Sequence, residues 1–343
     1  MKKNDISITF KNFSKSNLKL LLLFIPSIIL ITSSNYGLLV SFLSTFSVIE
    51  NSSFQMFGTF LTSNKNKSVF QIFFFIFAIF FITLAFEWFT NGGRLDFDRL
   101  ININYSSNVD FKSILAPLLL FFLTYKKIPV STTFVLLSGF ATKHTIDSML
   151  TKTAASYLIS FIFGYYIWYR LDRLLGGKIS DFDYEKMNKW KNVQIISNIF
   201  LIVFWIMSNN SNLVVSLPRI FSVQYFIIYV LFCAISIFYV VFSRGGKIQS
   251  IIDAKNGLDN PKTNSIINVA FSLIILMFQC INTTPVATTW SFVGLLSGRE
   301  FALSMRSFNG VKKVTLIKIL RDLSVLIYGL LITLVYILFV KLI

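Results

Sequence analysis

Pro129-Val130-Ser131-Thr132-Thr133 and Pro285-Val286-Ala287-Thr288-Thr289 each interrupt a long apolar segment. Each is followed within a few residues by Leu-Leu-Ser-Gly, at Leu136 to Gly139 and Leu295 to Gly298. A proline lacks the donor a helix needs, and hydroxyls behind it can hold a ligand or satisfy the freed backbone. Two such breaks at membrane depth suggest a pair of symmetry-related binding elements.

The surrounding composition sets the class. Of 343 residues, 55% are hydrophobic and 14% charged, against roughly 25% charged in a typical soluble domain. Mean hydropathy is +0.69. The apolar runs, rich in the 39 phenylalanines, are continuous, whereas a transmembrane barrel needs many alternating segments of about ten residues. The chain reads as an all-α, polytopic integral membrane protein, multi-pass in the cell membrane (the inner membrane in a Gram-negative cell). Net charge is +17, from 32 Lys and Arg against 15 Asp and Glu, and the cations fill the gaps between apolar runs. The positive-inside rule accounts for that placement, and no nucleic-acid partner is expected. Cys233 and Cys280 lie far apart inside apolar runs and read as small buried hydrophobes. Lys2, Lys3, Lys11, Lys15 and Lys19 precede the first run, which continues past the length of a signal peptide's apolar region and lacks an Ala-x-Ala site. An uncleaved first span with a cytoplasmic amino terminus is expected.

Leu20 to Ile49 would make one helix about 45 Å long, against about 30 Å of hydrocarbon. The cluster Thr32-Ser33-Ser34-Asn35 at its middle predicts a broken helix or re-entrant pair. Residues 50–68 read as a polar loop, and Val69 to Phe89 as a span closed by Asn91-Gly92-Gly93-Arg94. Ser113 to Leu123 and the stretch beyond Pro129 are each too short to cross alone. Thr153 to Tyr169 spans, and the mixed charges from Arg170 to Lys191 read as a linker. Beyond it lie apolar runs from Val193 to Met207, Leu213 to Val223, Gln224 to Phe242, Ile266 to Ile281 and Leu323 to Val340. Ser208-Asn209-Asn210-Ser211-Asn212 is expected to break the first two.

Three anchors align the two halves in order. Residues 33–48 and 208–223 share Ser33/Ser208, Asn35/Asn210, Leu38/Leu213, Val40/Val215, Ser41/Ser216, Phe46/Phe221, Ser47/Ser222 and Val48/Val223. Gly92-Gly93-Arg94 pairs with Gly245-Gly246-Lys247, and the proline stretches pair with each other. The wider spacing of the first anchor implies an insertion of about 20 residues in the 50–68 region. The expected organisation is a first membrane repeat at 1–175, a charged linker at 176–192, and a second repeat, inverted relative to the first, at 193–343. Duplicated halves with interrupted helices point to a secondary transporter with a midplane site, although Ser, Gly and Pro also recur in membrane helices for packing alone.

These motifs resemble the inorganic phosphate transporter (PiT) family of sodium- or proton-coupled symporters. That family carries two inverted copies of a domain, each with an early Gly-x-Asn-Asp-x-x-Asn-x-x-x-Pro signature and a later Pro-Val-Ser-Thr-Thr. Pro129 to Thr133 is identical to the later signature, and Pro285 to Thr289 differs at Ala287. For the early one, Asn210 and Pro218 have the right separation, with Ser211 in place of the Asp and Val214 in place of the second Asn. In the first half Asn35 is followed by Tyr36, and Leu43 replaces the Pro. The resemblance implies a transporter with no cofactor and leaves the coupling ion, Na+ or H+, open, because the signature aspartates are missing.

Candidate substrate-binding residues are Ser131, Thr132, Thr133, Thr288 and Thr289, whose hydroxyls and amides at a helix start suit an oxyanion. The same hydroxyls can instead serve only local carbonyls. Asn35 and Asn210 join them from the opposing breaks, with Asn209 and Asn212 beside them. Arg219 suits interfacial snorkelling, Glu87 a span end, and His144 a surface role. No Walker loop, zinc-binding pattern or nucleophile elbow occurs, and no catalytic residue or metal ligand is assigned. The expected partners are a small inorganic anion, phosphate first, and the lipid bilayer; a homodimer is allowed. The alternatives are a membrane enzyme acting on lipid-linked substrates and a non-transporting scaffold or receptor.

Overall fold

The computed structural model describes residues 18–32 except 20 and 24, 35–101, 103, 109, 111–137, 143–171, 187–255, 257–258, 260–281, 287–308 and 312–342. Pro285, Val286 and much of the 176–192 linker lie outside the described residues. Every regular element among the described residues is helical. They run α1 (Tyr36–Met56), α2 (Gly58–Ser63), α3 (Val69–Thr90), α4 (Leu115–Tyr125), α5 (Thr132–Leu137), α6 (Lys143–Tyr166), α7 (Met187–Val214), α8 (Val223–Phe242), α9 (Ser250–Asp253), α10 (Pro261–Ile281), α11 (Thr288–Phe308) and α12 (Lys313–Leu342). Among the described residues, α3, α7, α8, α10 and α12 are long and apolar enough to cross a membrane. The chain is a polytopic all-α membrane protein.

Local chemistry sets the helix ends. Ser68 caps α3 by accepting from the Gln71 amide, and Gln71 returns a bond to the Ser68 amide. Ser222 caps α8 by accepting from the Tyr225 amide. Both helices end in the same left-handed turn: Gly93 N–H donates to Trp88 O at 2.9 Å, and Gly245 N–H to Val240 O at 2.8 Å. Gly93 and Gly245 sit at φ +89° and +88°, so the backbone pairs them, one residue away from the match of letters. Arg244 stands at φ +56° where the first half has Gly92 at +59°.

Burial separates lipid-facing helices from the core. Phe70, Phe74, Ile82, Phe86 and Phe89 of α3 are exposed, as are Leu331, Val335 and Leu338 of α12. With hydrocarbon as the solvent, such side chains need no cover. In contrast, α1 is buried from Leu38 to Met56 and packs on α4, α7 and α8. Residues 25–32 are helical, Ser33 and Ser34 lie outside the described residues, and Asn35 is the non-helical cap of α1, so the first apolar stretch is interrupted at Asn35.

Two expectations are corrected. Residues 50–68 are not a loop: α1 continues to Met56, and α2 follows, with Glu50, Asn51, Ser52, Ser53, Gln55, Thr59 and Thr62 all buried. Their polarity serves neighbouring helices rather than water. Similarly, Ser208 to Asn212 do not break the chain; α7 runs through them, and the helix stops only after Val214. A run of Asn and Ser stays helical when its side chains find partners across an interface.

Glycines bring α6 against α11 at backbone distance. A Cβ on Gly294 would lie 2.5 Å from Tyr157 O, and one on Gly298 would lie 2.0 Å from Phe161 O. From the other side, a Cβ on Gly164 would lie 2.4 Å from Leu295 O. The spacing of Gly294 and Gly298 is the small-xxx-small arrangement of close membrane helix pairs. This contact fixes α11, whose first turn carries Thr288 and Thr289.

Candidate functional site

Five helices and one non-helical turn meet around the hydroxyls that follow the breaks. Val130 O, in the turn between α4 and α5, accepts from Asn51 Nδ2 of α1 at 3.1 Å and from Thr289 Oγ1 of α11 at 3.1 Å. Thr124 Oγ1 at the end of α4 donates to Asn51 Oδ1 at 3.1 Å. Gln55 Nε2, one turn beyond Asn51, reaches Thr289 Oγ1 at 3.5 Å. On the facing side, Asn212 Nδ2 of α7 donates to Thr132 Oγ1 and Thr133 Oγ1, both at 3.2 Å. Thr288 Oγ1 donates to Asn209 Oδ1 at 3.1 Å. Thus α1 contacts the start of α11, and α7 contacts the start of α5.

The sequence-predicted residues divide into two groups. Ser131, Thr132, Thr133, Thr288 and Thr289 are all buried around this junction. Ser131 Oγ caps α5 by accepting from the Phe134 amide at 3.3 Å. Asn35 and Asn210 are held apart from it. Asn35 accepts from Leu38 N at 3.1 Å as the N-cap of α1. Asn210 donates to Leu95 O at 2.6 Å and accepts from the Tyr229 hydroxyl, so both ends of its amide are engaged at the 94–103 segment and α8.

Asn51 was missed because the polar stretch around it reads as a loop. The intervals between helix ends carry the signal that locates it. The ends Met56 and Val214 lie 158 residues apart, the starts Val69 and Val223 lie 154 apart, and Thr132 and Thr288 lie 156 apart. Asn51-Ser52 stands 159 residues before Asn210-Ser211, one residue beyond the widest of these intervals. The alignment of 33–48 with 208–223 is thus out of step with the helices, and the 20-residue insertion it implied is not needed.

Several polar atoms of the junction residues and of their neighbours along the helices are buried without a hydrogen-bond partner. Ser52 Oγ and Ser211 Oγ are among them, together with Gln55 Oε1, Asn212 Oδ1 and Ser291 Oγ. An orphaned buried polar group costs about 1–3 kcal/mol, so a cluster of them calls for an occupant. Unpaired hydroxyls can donate to an anion, and unpaired amide oxygens can accept from water or ligate a cation.

Fixed charge approaches from one direction. The segment after α3 folds back over α7, with Phe221 N–H donating to Gly93 O at 2.9 Å and Trp88 Nε1 to Phe221 O at 3.0 Å. It carries Arg99 to the edge of a cavity of about 10 Å3 that Ser208, Thr288 and Ser291 also line. That is room for about one water. Burial lowers the Arg99 guanidinium from its ordinary value, with Cys280 acting the other way; an arginine starting so high still keeps its charge. Buried acids are engaged elsewhere: Glu50 holds Lys19 at 2.7 Å, Glu87 accepts from Asn91 at 3.0 Å, and Asp96 holds Arg94 at 2.8 Å. Among the described residues, no group of three or more His, Cys, Asp or Glu is placed to hold a metal ion.

No protein-family model matches this sequence, and no curated protein resembles it in sequence. Among solved structures, one described as "The sodium-dependent phosphate transporter" superposes with a TM-score of 0.56 at 14% sequence identity, covering 88% of this chain and 95% of that one. The similarity extends over nearly the whole of both chains, so the two proteins share a fold.

Proposed function

We propose that this chain is a secondary transporter of an inorganic anion, with phosphate the leading substrate, working by alternating access. The observation that carries the reading is the buried junction where Thr132, Thr133, Thr288 and Thr289 meet Asn51, Gln55, Asn209 and Asn212, with the amide oxygens of Gln55 and Asn212 orphaned. The likeness of fold to a phosphate transporter agrees with it. In this reading the halves are membrane repeats at 1–175 and 193–343, inverted with respect to each other and joined by 176–192. The hydroxyls receive the anion's oxygens, and rocking of the halves exposes the junction to one face at a time. Coupling, to Na+ or H+, is carried by amide and hydroxyl oxygens in place of carboxylates.

Purified protein in proteoliposomes should accumulate radiolabelled phosphate under one of these gradients. The double variant Thr132→Val, Thr288→Val should lose that uptake while the protein still folds, seen as a single sharp peak on size exclusion. Unchanged uptake by the variant would sink the assignment. Wild-type protein that moves no phosphate under either gradient would favour a scaffold or receptor instead.

A further inference from the structure

A second cavity, of about 460 Å3, opens at the other end of the molecule beside the Pro129 turn. Its size falls within the range of small-molecule sites, far above the single-water space beside Thr288. Lys127, Lys255, Lys318 and Arg321 line it, and Asp322 is the acid among the lining residues. Lys255 is neutralised by Asp322 at 2.5 Å. Lys127, Lys318 and Arg321 have no carboxylate within ion-pair distance among the described residues. Among the described residues, three positive charges therefore face one opening without an ion-pair partner.

The position of Lys127 ties this opening to the hydroxyl junction. Lys127 occupies the left-handed region at φ +61°, a conformation uncommon outside glycine that marks a constrained turn. Its N–H donates to Thr124 O at 3.0 Å, and the Thr124 hydroxyl bonds Asn51. Three residues further on, Val130 O holds Asn51 and Thr289. Lys318 and Arg321 are carried by α12, which is pressed onto the same turn: a Cβ on Gly329 would lie 2.6 Å from Val130 Cγ1.

Sidedness follows from the same end of the fold. Arg244 donates to Lys67 O at 2.8 Å, joining the end of α8 to the start of α3. Lys247 lies 3.3 Å over the Tyr125 ring at the end of α4, and Lys262 over Trp190 at the start of α7. At the opposite end Arg94 is answered by Asp96 and Asp98. The end with the excess of Lys and Arg is the cytoplasmic one by the positive-inside rule.

We propose that this cavity is a cytoplasm-facing anion vestibule, a second site at which Lys127, Lys318 and Arg321 bind free inorganic phosphate before or after it occupies the hydroxyl junction. The proposal rests on the transport reading for its place on the route, but binding tests it independently. Full-length protein in neutral-lipid nanodiscs is titrated with inorganic phosphate, alongside Lys127→Gln, Lys318→Gln, Arg321→Gln and Thr132→Val, Thr288→Val variants. Wild type should show two classes of phosphate site, the charge variant should lose one, and the hydroxyl variant should lose the other. A charge-keeping Lys127→Arg, Lys318→Arg, Arg321→Lys variant should bind as wild type does. In proteoliposomes the charge variant should raise KM from the cytoplasmic face about tenfold and flatten its salt dependence, with the maximal rate unchanged, because the vestibule raises local anion concentration. Phosphate binding unaltered by the charge variant overturns the vestibule and leaves the transport reading standing. Occupancy that depends on anionic lipid in the nanodisc, with none from free phosphate, also overturns it and makes the cavity a headgroup site. Wild type that moves no phosphate overturns the transport reading, whereas a binding class lost in the charge variant still upholds the vestibule.

Discussion

The segments that follow the two Gly-Gly turns start alike and close the molecule differently. After Gly93, Arg94 is held by Asp96 at 2.8 Å, Asp96 accepts from Leu100 N at 3.3 Å, and Asn210 grips Leu95 O. The segment lies flat on α7 and leaves space for about one water beside Thr288. After Gly245, Gln249 Nε2 donates to Gly58 O and to Thr62 Oγ1, both at 3.0 Å, and Ser53 Oγ to Gly245 O at 3.3 Å. That grip is on α1 and α2 and leaves an opening of about 460 Å3 next to Pro129. The same turn chemistry therefore leaves space for about one water at one end and a wide opening at the other. On the proposed transport reading, the opposite state of the cycle would release the first segment and close the second.

The comparison can be broken most severely through α11, on which the sealed end depends. Gly298→Ala places a methyl 2.0 Å from Phe161 O, and because that obstacle is backbone the helix pair must separate. The expected cost is about 3 kcal/mol, seen as lost monomer on size exclusion and a lowered melting temperature. Removing the hydroxyls in Thr132→Val, Thr288→Val touches both ends at once. Two hydrogen bonds to a charged ligand, at about 1.5 kcal/mol each, predict uptake about 100-fold lower in protein that still folds.

A sharper cut separates two neighbouring asparagines. Asn212→Ala frees Thr132 and Thr133 and should lower uptake about tenfold with little change in stability, the loss of about one such bond. Asn210→Ala leaves Leu95 O and the Tyr229 hydroxyl without their partner, so it should cost about 1–3 kcal/mol of stability and loosen the sealed end. If Asn210→Ala instead left melting untouched and abolished substrate binding, the placement of this residue outside the junction would fall. The mildest test compares the caps: Ser68→Ala and Ser222→Ala should each cost about 1 kcal/mol, by thermal melting. Equal losses would match the shared turn chemistry of the two halves.

Much of the architecture was readable from run lengths. The spans at α3, α8 and α12, the polar interruption before α1 and the non-helical turn at Pro129 all follow from apolar length and from proline's missing donor. The hydroxyls after the breaks were readable too, since Ser and Thr beside a freed carbonyl at membrane depth need a partner. Asn51 was not. In Glu50-Asn51-Ser52-Ser53 hydropathy falls just as it does in a loop, and a polar residue facing another helix has the same letter as one facing water. The repeat register failed for a related reason: eight identities between 33–48 and 208–223 outweighed the helix ends, whose spacing points to Asn51 instead of Asn35.

Composition and periodicity were thus enough for a polytopic helical membrane protein with hydroxyl-bearing breaks, because burial in lipid is a property of whole segments. Which amides face those hydroxyls, which asparagine of 209, 210 and 212 turns toward the 94–103 segment, and which end stands open came from packing. Each depends on contacts between residues far apart in the chain, such as Asn51 with Val130 and Thr288 with Asn209, and a linear pattern does not encode the rotation of one helix against another.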